Sequence, residues 1–133
     1  MNLVYRSTRN GEETASASEA ILKGLTSDGG LFVPDCIPKL GVPLGDLAKM
    51  SYQEIAYAVM KEFLTDFTEE ELKYCIKNAY DDKFDTKEIA PMVKADGVYF
   101  LELFHGATIA FKDMALSILP YLLVTSAKKN HVK

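Results

Sequence analysis

Residues 98–113 read Val98-Tyr99-Phe100-Leu101-Glu102-Leu103-Phe104-His105-Gly106-Ala107-Thr108-Ile109-Ala110-Phe111-Lys112-Asp113, and what this stretch becomes decides the fold. Val98 to Phe104 is rich in aromatic and branched residues and reads as a strand, with Glu102 as its one charge. Beyond Asp113, Met114 to Lys129 reads as a helix with apolar residues on nearly every side. Pro120 is expected to kink it, because proline removes a hydrogen bond and crowds the preceding turn. A helix that is apolar all round is built to be covered on more than one face. A strand and helix of this kind look like the first βα unit of a layered α/β domain. Lys112 stands between them. A lysine in a partly dry pocket loses some of its preference for the charged form, and the neutral amine is a nucleophile that forms an imine with an aldehyde. The commonplace alternative is a solvated surface charge.

Working backwards from this stretch, three polar pairs mark helix starts. Ser16 and Glu19, Ser51 and Glu54, and Thr68 and Glu71 each have the three-residue spacing of a capping box. Apolar residues follow each at helical spacing: Ala17, Ala20, Ile21 and Leu25; then Tyr52, Ile55, Ala56, Val59, Met60 and Phe63; then Leu72, Cys75, Ile76 and Ala79. The run Glu69-Glu70-Glu71 complements the positive end of the third helix. Leu3-Val4-Tyr5 and Leu31-Phe32-Val33 read as short strands that pair, the second stopped by Pro34. Ser7 to Thr14, Asp35 to Gly45 and Lys83 to Asp96 read as loops or connections. The expected fold is an α+β N-terminal domain of short strands plus about three helices, residues 1–80, followed by a connection and the start of an α/β domain, residues 81–133. The last helix would otherwise expose a large apolar patch, so the chain is read as the front part of a larger protein.

Composition narrows the function. Hydrophobic residues make up 48% and charged residues 26% of the 133, which suits a packed core. A net charge of −4 argues against nucleic acid as a partner. The basic end from Lys128 reads as a helix C-terminus favoured by the helix dipole. Cys36 and Cys75 form no CxxC pair and, with two histidines, no metal-ligand spacing; they are read as reduced thiols. The N-terminus carries Arg6, Arg9, Glu12 and Glu13 rather than the apolar stretch of a signal peptide, and the run Met114 to Val124 is too short to span a bilayer. The expected location is the cytoplasm.

Three stretches carry a resemblance: Tyr5-Arg-Ser-Thr-Arg-Asn10, Glu19 to Pro34 with its Asp28-Gly29-Gly30 turn, and Phe104 to Asp113. In this order and separation they resemble the N-terminal part of threonine synthases, pyridoxal-phosphate enzymes of the tryptophan-synthase-like fold. The chain departs from the usual pattern at Ala107, where proline is common, and at Asn10, where glycine is. The resemblance implies that residues 81–133 begin a cofactor domain. It implies that Lys112 holds pyridoxal phosphate through an imine and carries protons once the substrate amine displaces it. Phe111 matches the position that covers one face of the cofactor ring. The implied reaction turns O-phospho-L-homoserine and water into L-threonine and phosphate. Alternatives are a pyridoxal-phosphate lyase acting on another phosphorylated amino acid, and a non-catalytic helical interaction module.

Other residues near these motifs have two readings each. Asp113 is expected to cap the following helix, with orientation of Lys112 as the alternative. His105 is expected to be structural and bonded to backbone, with contact to substrate phosphate as the alternative. Thr108 is a turn-former or a ligand. Ser7, Thr8 and Arg9 belong to a surface loop or hold a phosphate. Glu102 is expected on the opposite strand face from His105. No glycine follows Gly106, so the glycine-rich phosphate cradle expected of such a site is not in this sequence. The chain alone is therefore expected to bind the cofactor weakly and to be inactive. Oligomeric state is left open.

Overall fold

A computed structural model describes residues 2–132. In chain order the elements are β1 (Tyr5–Ser7), β2 (Thr14–Ala15), α1 (Ala17–Lys23), β3 (Phe32–Pro34), α2 (Leu44–Leu47), α3 (Tyr52–Phe63), α4 (Glu69–Ala79), β4 (Met92–Ala95), β5 (Val98–Leu101), α5 (Asp113–Leu116) and α6 (Leu119–Lys129). It is a small mixed α/β structure. All three capping boxes form: Ser16, Ser51 and Thr68 each accept from the backbone N–H three residues on, and Glu19, Glu54 and Glu71 reach back to the cap N–H. Each such cap stabilises its helix by about 1 kcal/mol.

β1 is the middle strand of a three-stranded sheet, antiparallel to β2 and to β3. The expected pairing of the first and third strands is therefore present, with Arg6 opposite Val33. Pro34 does not stop β3 short. It is the last residue of the strand, where its missing N–H costs no ladder bond.

The core is organised by α4. Leu72, Cys75, Ile76 and Ala79, the face read from the sequence, are at most 2% exposed. They pack with Phe67, Tyr80, Phe84 and Ile89, and with Ile118 and Leu122 from the last part of the chain. α6 lies against both α1 and α4. Polar bonds lock it there: Asn130 Nδ2 donates to Ser18 Oγ at 3.0 Å, and Lys129 Nζ pairs with Glu71 at 2.9 Å.

Several expectations change: among the described residues, 1–80 hold four helices rather than about three, since the short α2 begins inside the expected loop Asp35–Gly45, and β2 begins at Thr14, the end of the expected loop from Ser7. Leu25 is 59% exposed, because Gly24, at φ 71°, turns the chain before Leu25 can join the α1 face. The long kinked helix is two helices, broken at Ser117 and Ile118. Pro120 lies in the first turn of α6, where its absent N–H would have no intrahelical partner anyway. The connection from Lys83 to Asp96 contains a strand: β4 pairs with β5 in a hairpin. Its turn residues Asp96 and Gly97 have φ of 49° and 80°, as a two-residue hairpin turn of the I′ type requires. Both faces of this hairpin are exposed, with Tyr99 at 66% and Leu101 at 55%. Among the described residues, no helix is long and apolar enough to cross a membrane.

Candidate active site

β5 ends at Leu101, three residues before the expected end, and this early stop shapes everything that follows. Glu102 N donates to Pro91 O at 3.0 Å, closing the hairpin. Beyond the strand the period of two no longer governs side-chain direction. Glu102 and His105 therefore meet instead of pointing apart: His105 Nε2 lies 2.8 Å from Glu102 Oε2. On the other ring nitrogen, His105 Nδ1 lies 2.5 Å from Asp85 Oδ1. Asp85 N also donates to the His105 carbonyl at 3.0 Å. The side chain is held by two carboxylates rather than by the expected backbone. Its pKa is raised above the ordinary 6.5, first by the bond to Glu102 and then by that to Asp85. The Phe104 ring stacks on it at 4.6 Å.

The turn from Gly106 to Asp113 is closed from its far end. Asp113 does not cap α5; the position before it is Lys112, and no side chain caps that helix. Its carboxylate instead accepts from Thr108 N at 2.7 Å and from Thr108 Oγ1 at 2.6 Å. These bonds, the hydroxyl's first, hold the Asp113 carboxyl below its usual range. The side chain is buried against Gly106, where an added Cβ would come within 2.5 Å of Asp113 Cβ. Gly106 is thus glycine because Asp113 occupies the space a side chain would need. Thr108 closes the turn through these two bonds. Ile109, 75% exposed, has φ 60°, a left-handed conformation that strains a branched residue by about 1–3 kcal/mol. Nothing in the residue pattern around Ile109 signals that strain.

This locked turn carries Phe111 and Lys112. Both are exposed, Phe111 by 69%, so Lys112 is not enclosed between strand and helix as expected. Because β5 stops early and the hairpin stands open on both faces, nothing among the described residues covers the amine. The two side chains instead line an open cavity of about 630 Å³. Tyr52, Ile55, Leu101 and Met114 supply apolar walls from α3, β5 and α5. α5 is tied to the core beneath: Tyr80 Oη donates to Met114 O at 2.8 Å.

Ser7, Thr8 and Arg9 lie in a different place, and each makes a side-chain bond within its own loop or to the Thr26–Leu31 segment. Ser7 is buried and its hydroxyl donates to the Asp28 carboxylate at 2.8 Å. Thr26 Oγ1 bonds the same carboxylate at 2.5 Å, and Gly30 N at 3.0 Å. Arg9 Nη1 donates to the Asp28 carbonyl at 3.0 Å, and Thr8 Oγ1 accepts from Leu31 N at 3.0 Å. Of the three, Ser7 alone bonds the Asp28 carboxylate, whose pKa is lowered from 3.8 to about 2, chiefly by Thr26. A larger cavity, about 690 Å³, opens between α3 and α4 beside Tyr57 and Lys77, and contains none of the candidate residues.

Comparison with known proteins agrees with this architecture. The family model for the threonine synthase N terminus matches residues 4–80. Threonine synthase from Saccharomyces cerevisiae is 41% identical over 123 residues, which is 85% of this chain and 24% of that protein. The crystal structure of threonine synthase from yeast superposes with a TM-score of 0.85 at 37% identity, over 98% of this chain and 27% of that one. Threonine synthase from Brucella melitensis, solved with pyridoxal phosphate bound, superposes with a TM-score of 0.84 at 31% identity, over 97% of this chain and 28% of that one. The chain thus spans about a quarter of the length of the relatives it matches. The chain belongs to the threonine synthase family and corresponds to the N-terminal part of its members.

Proposed function

We propose that this chain supplies the cofactor-binding lysine to a pyridoxal-phosphate-dependent threonine synthase, which converts O-phospho-L-homoserine and water to L-threonine and phosphate. Residues 1–80 are the front domain, and residues 81–133 connect it to, and begin, the cofactor domain. The reading rests on one observation: Lys112 and Phe111 together line an open apolar cavity of about 630 Å³, at a turn fixed by Asp113. The donor set suits the ring and aldehyde of the cofactor. Lys112 offers an amine within reach of water, Phe111 a flat apolar wall, and Leu101, Leu103 and Met114 apolar neighbours.

When bound, pyridoxal phosphate supplies the electron sink that stabilises carbanions at neighbouring substrate carbons. Lys112 Nζ would hold the cofactor at its aldehyde and would take and return protons while it stays within hydrogen-bond reach. Phe111 fixes the orientation of the ring. The Thr108–Asp113 bonds keep both side chains from drifting with the exposed loop. The cytoplasm is the compartment proposed for this chemistry.

The test is made in the whole enzyme that carries this chain. Lys112→Ala is expected to abolish release of threonine from O-phospho-L-homoserine, with the far-ultraviolet dichroism and thermal melt unchanged. Threonine release by the alanine variant at the rate of the parent would overturn the assignment.

A further inference from the structure

Only one protonation state of His105 can bond both of its ionised partners at once. Each ring nitrogen faces a carboxylate, Glu102 Oε2 at 2.8 Å and Asp85 Oδ1 at 2.5 Å. An ionised carboxylate only accepts, so with both carboxylates ionised the two contacts are satisfied together by the doubly protonated, cationic ring. The neutral ring has one N–H and one lone pair, and the lone pair would face a negative oxygen. Among the described residues these two carboxylates, one from the 81–91 connection and one from the end of β5, are the charged groups bonded to the ring; Phe104 stacks on its face.

The ring joins two segments otherwise held by few bonds, and Gly106 follows it directly. Gly106 is the residue on which the Asp113 side chain packs, and Asp113 closes the turn that carries Lys112. The near end of the turn is therefore anchored by His105 and the far end by Asp113.

We propose that His105 is a positioning residue for Lys112: its cation clamps Asp85 to Glu102 and orders the Gly106–Asp113 turn, and loss of one proton releases Asp85 and loosens the turn. This inference rests on the reading of Lys112 given above. Asp85 is the carboxylate that leaves. Its side chain is 74% exposed and hydrates readily, whereas that of Glu102 is 25% exposed and keeps the remaining Nε2–H. Because the folded pKa of His105 lies above its ordinary 6.5, the clamp is complete below about 6.5 and is lost as pH rises through the higher folded value.

Two readouts separate the clamp from the cofactor assignment. The first is the protection factor of the Thr108 amide against hydrogen exchange, corrected for intrinsic rates, with the His105 ring followed by nitrogen-resolved NMR. Protection is expected to fall about tenfold as the ring deprotonates, the effect of losing one charge-assisted bond. The neutral ring is expected as the Nε2–H tautomer. Asp85→Asn can face either form of the ring, so it should keep protection and flatten the pH profile. His105→Gln should be flat at the lower level. The second readout is pyridoxal-phosphate labelling of Lys112 under borohydride, taken as the ratio of parent to Asp85→Asn across the same pH range; it should fall with the Thr108 protection. A Thr108 profile that ignores His105 titration, or a neutral Nδ1–H tautomer, would overturn the clamp. Tracking protection without any Lys112 labelling would leave the clamp standing and sink the cofactor reading instead.

Discussion

Tyr80 joins the core to the candidate site, and its removal can be dissected. The residue is 3% exposed. Its ring meets Tyr52 edge-on at 4.9 Å and Phe84 at 6.1 Å, and its hydroxyl donates to Met114 O at 2.8 Å. Burial pushes the phenol's pKa far up, so it stays a neutral donor across the working range. Tyr80→Phe keeps the ring and removes one bond, leaving the Met114 carbonyl unpaired; the expected loss is about 1–2 kcal/mol. Tyr80→Ala also empties the site between α3 and α4 and should cost about 3–5 kcal/mol. With a urea m-value of about 2 kcal/mol/M, the phenylalanine variant should unfold about 0.5–1 M earlier with unchanged m. Because Met114 belongs to α5, Tyr80→Phe should also raise amide exchange in residues 113–117 more than in α4. A phenylalanine variant with the parent's midpoint and parent-like exchange in α5 would refute the link between core and site.

Gly30→Ala should lower the melting temperature, since the new Cβ would lie 2.6 Å from Ser7 Oγ and 2.9 Å from Thr26 Oγ1, whereas Gly45→Ala meets nothing within 4 Å and should melt no lower than the parent. Acid melts should report Asp28: its folded pKa of about 2 lies below the ordinary 3.8, so its contribution is full above about 3.8 and disappears as pH falls towards 2. The stability difference between parent and Asp28→Asn should shrink across that window, and a difference constant with pH would count against the network. Thiol labelling should distinguish the cysteines: exposed Cys36 reacts in the folded protein, while Cys75, fully buried with its thiol pKa raised by burial, reacts only on unfolding. Equal labelling rates would mean that α4 is not the centre of the core.

The parts of the fold governed by local chemistry were legible in the chain. Ser51 and Glu54 need only each other and three intervening residues to cap a helix, and the Leu72-Cys75-Ile76-Ala79 face follows from helical spacing. The β4–β5 hairpin was not read, although Asp96-Gly97 is its turn signal, because an exposed hairpin has no buried face and so no alternation to notice. The break at Ser117–Ile118 was missed because proline marks a first helical turn as readily as a kink. At the site, the contacts made by the neighbours of Lys112 and Phe111 depend on where β5 stops. A strand continuing to Phe104 would set Glu102 and His105 on opposite faces; a strand ending at Leu101 lets them bond. Asp113 likewise turns back to Thr108 because Gly106 leaves room for it. Asp28 is visible in the sequence only as part of a glycine turn, yet it takes up the hydroxyl of Ser7, one of the three loop residues with phosphate-binding chemistry.

The most direct test of the account is the destination of pyridoxal phosphate on the chain. Limiting cofactor is added, the adduct is reduced with borohydride, and the labelled peptides are mapped. The label is expected on the peptide containing Phe111 and Lys112, and to vanish with Lys112→Ala. A label shared evenly among the surface lysines, with Lys112 no more reactive than Lys49 or Lys73, would contradict it.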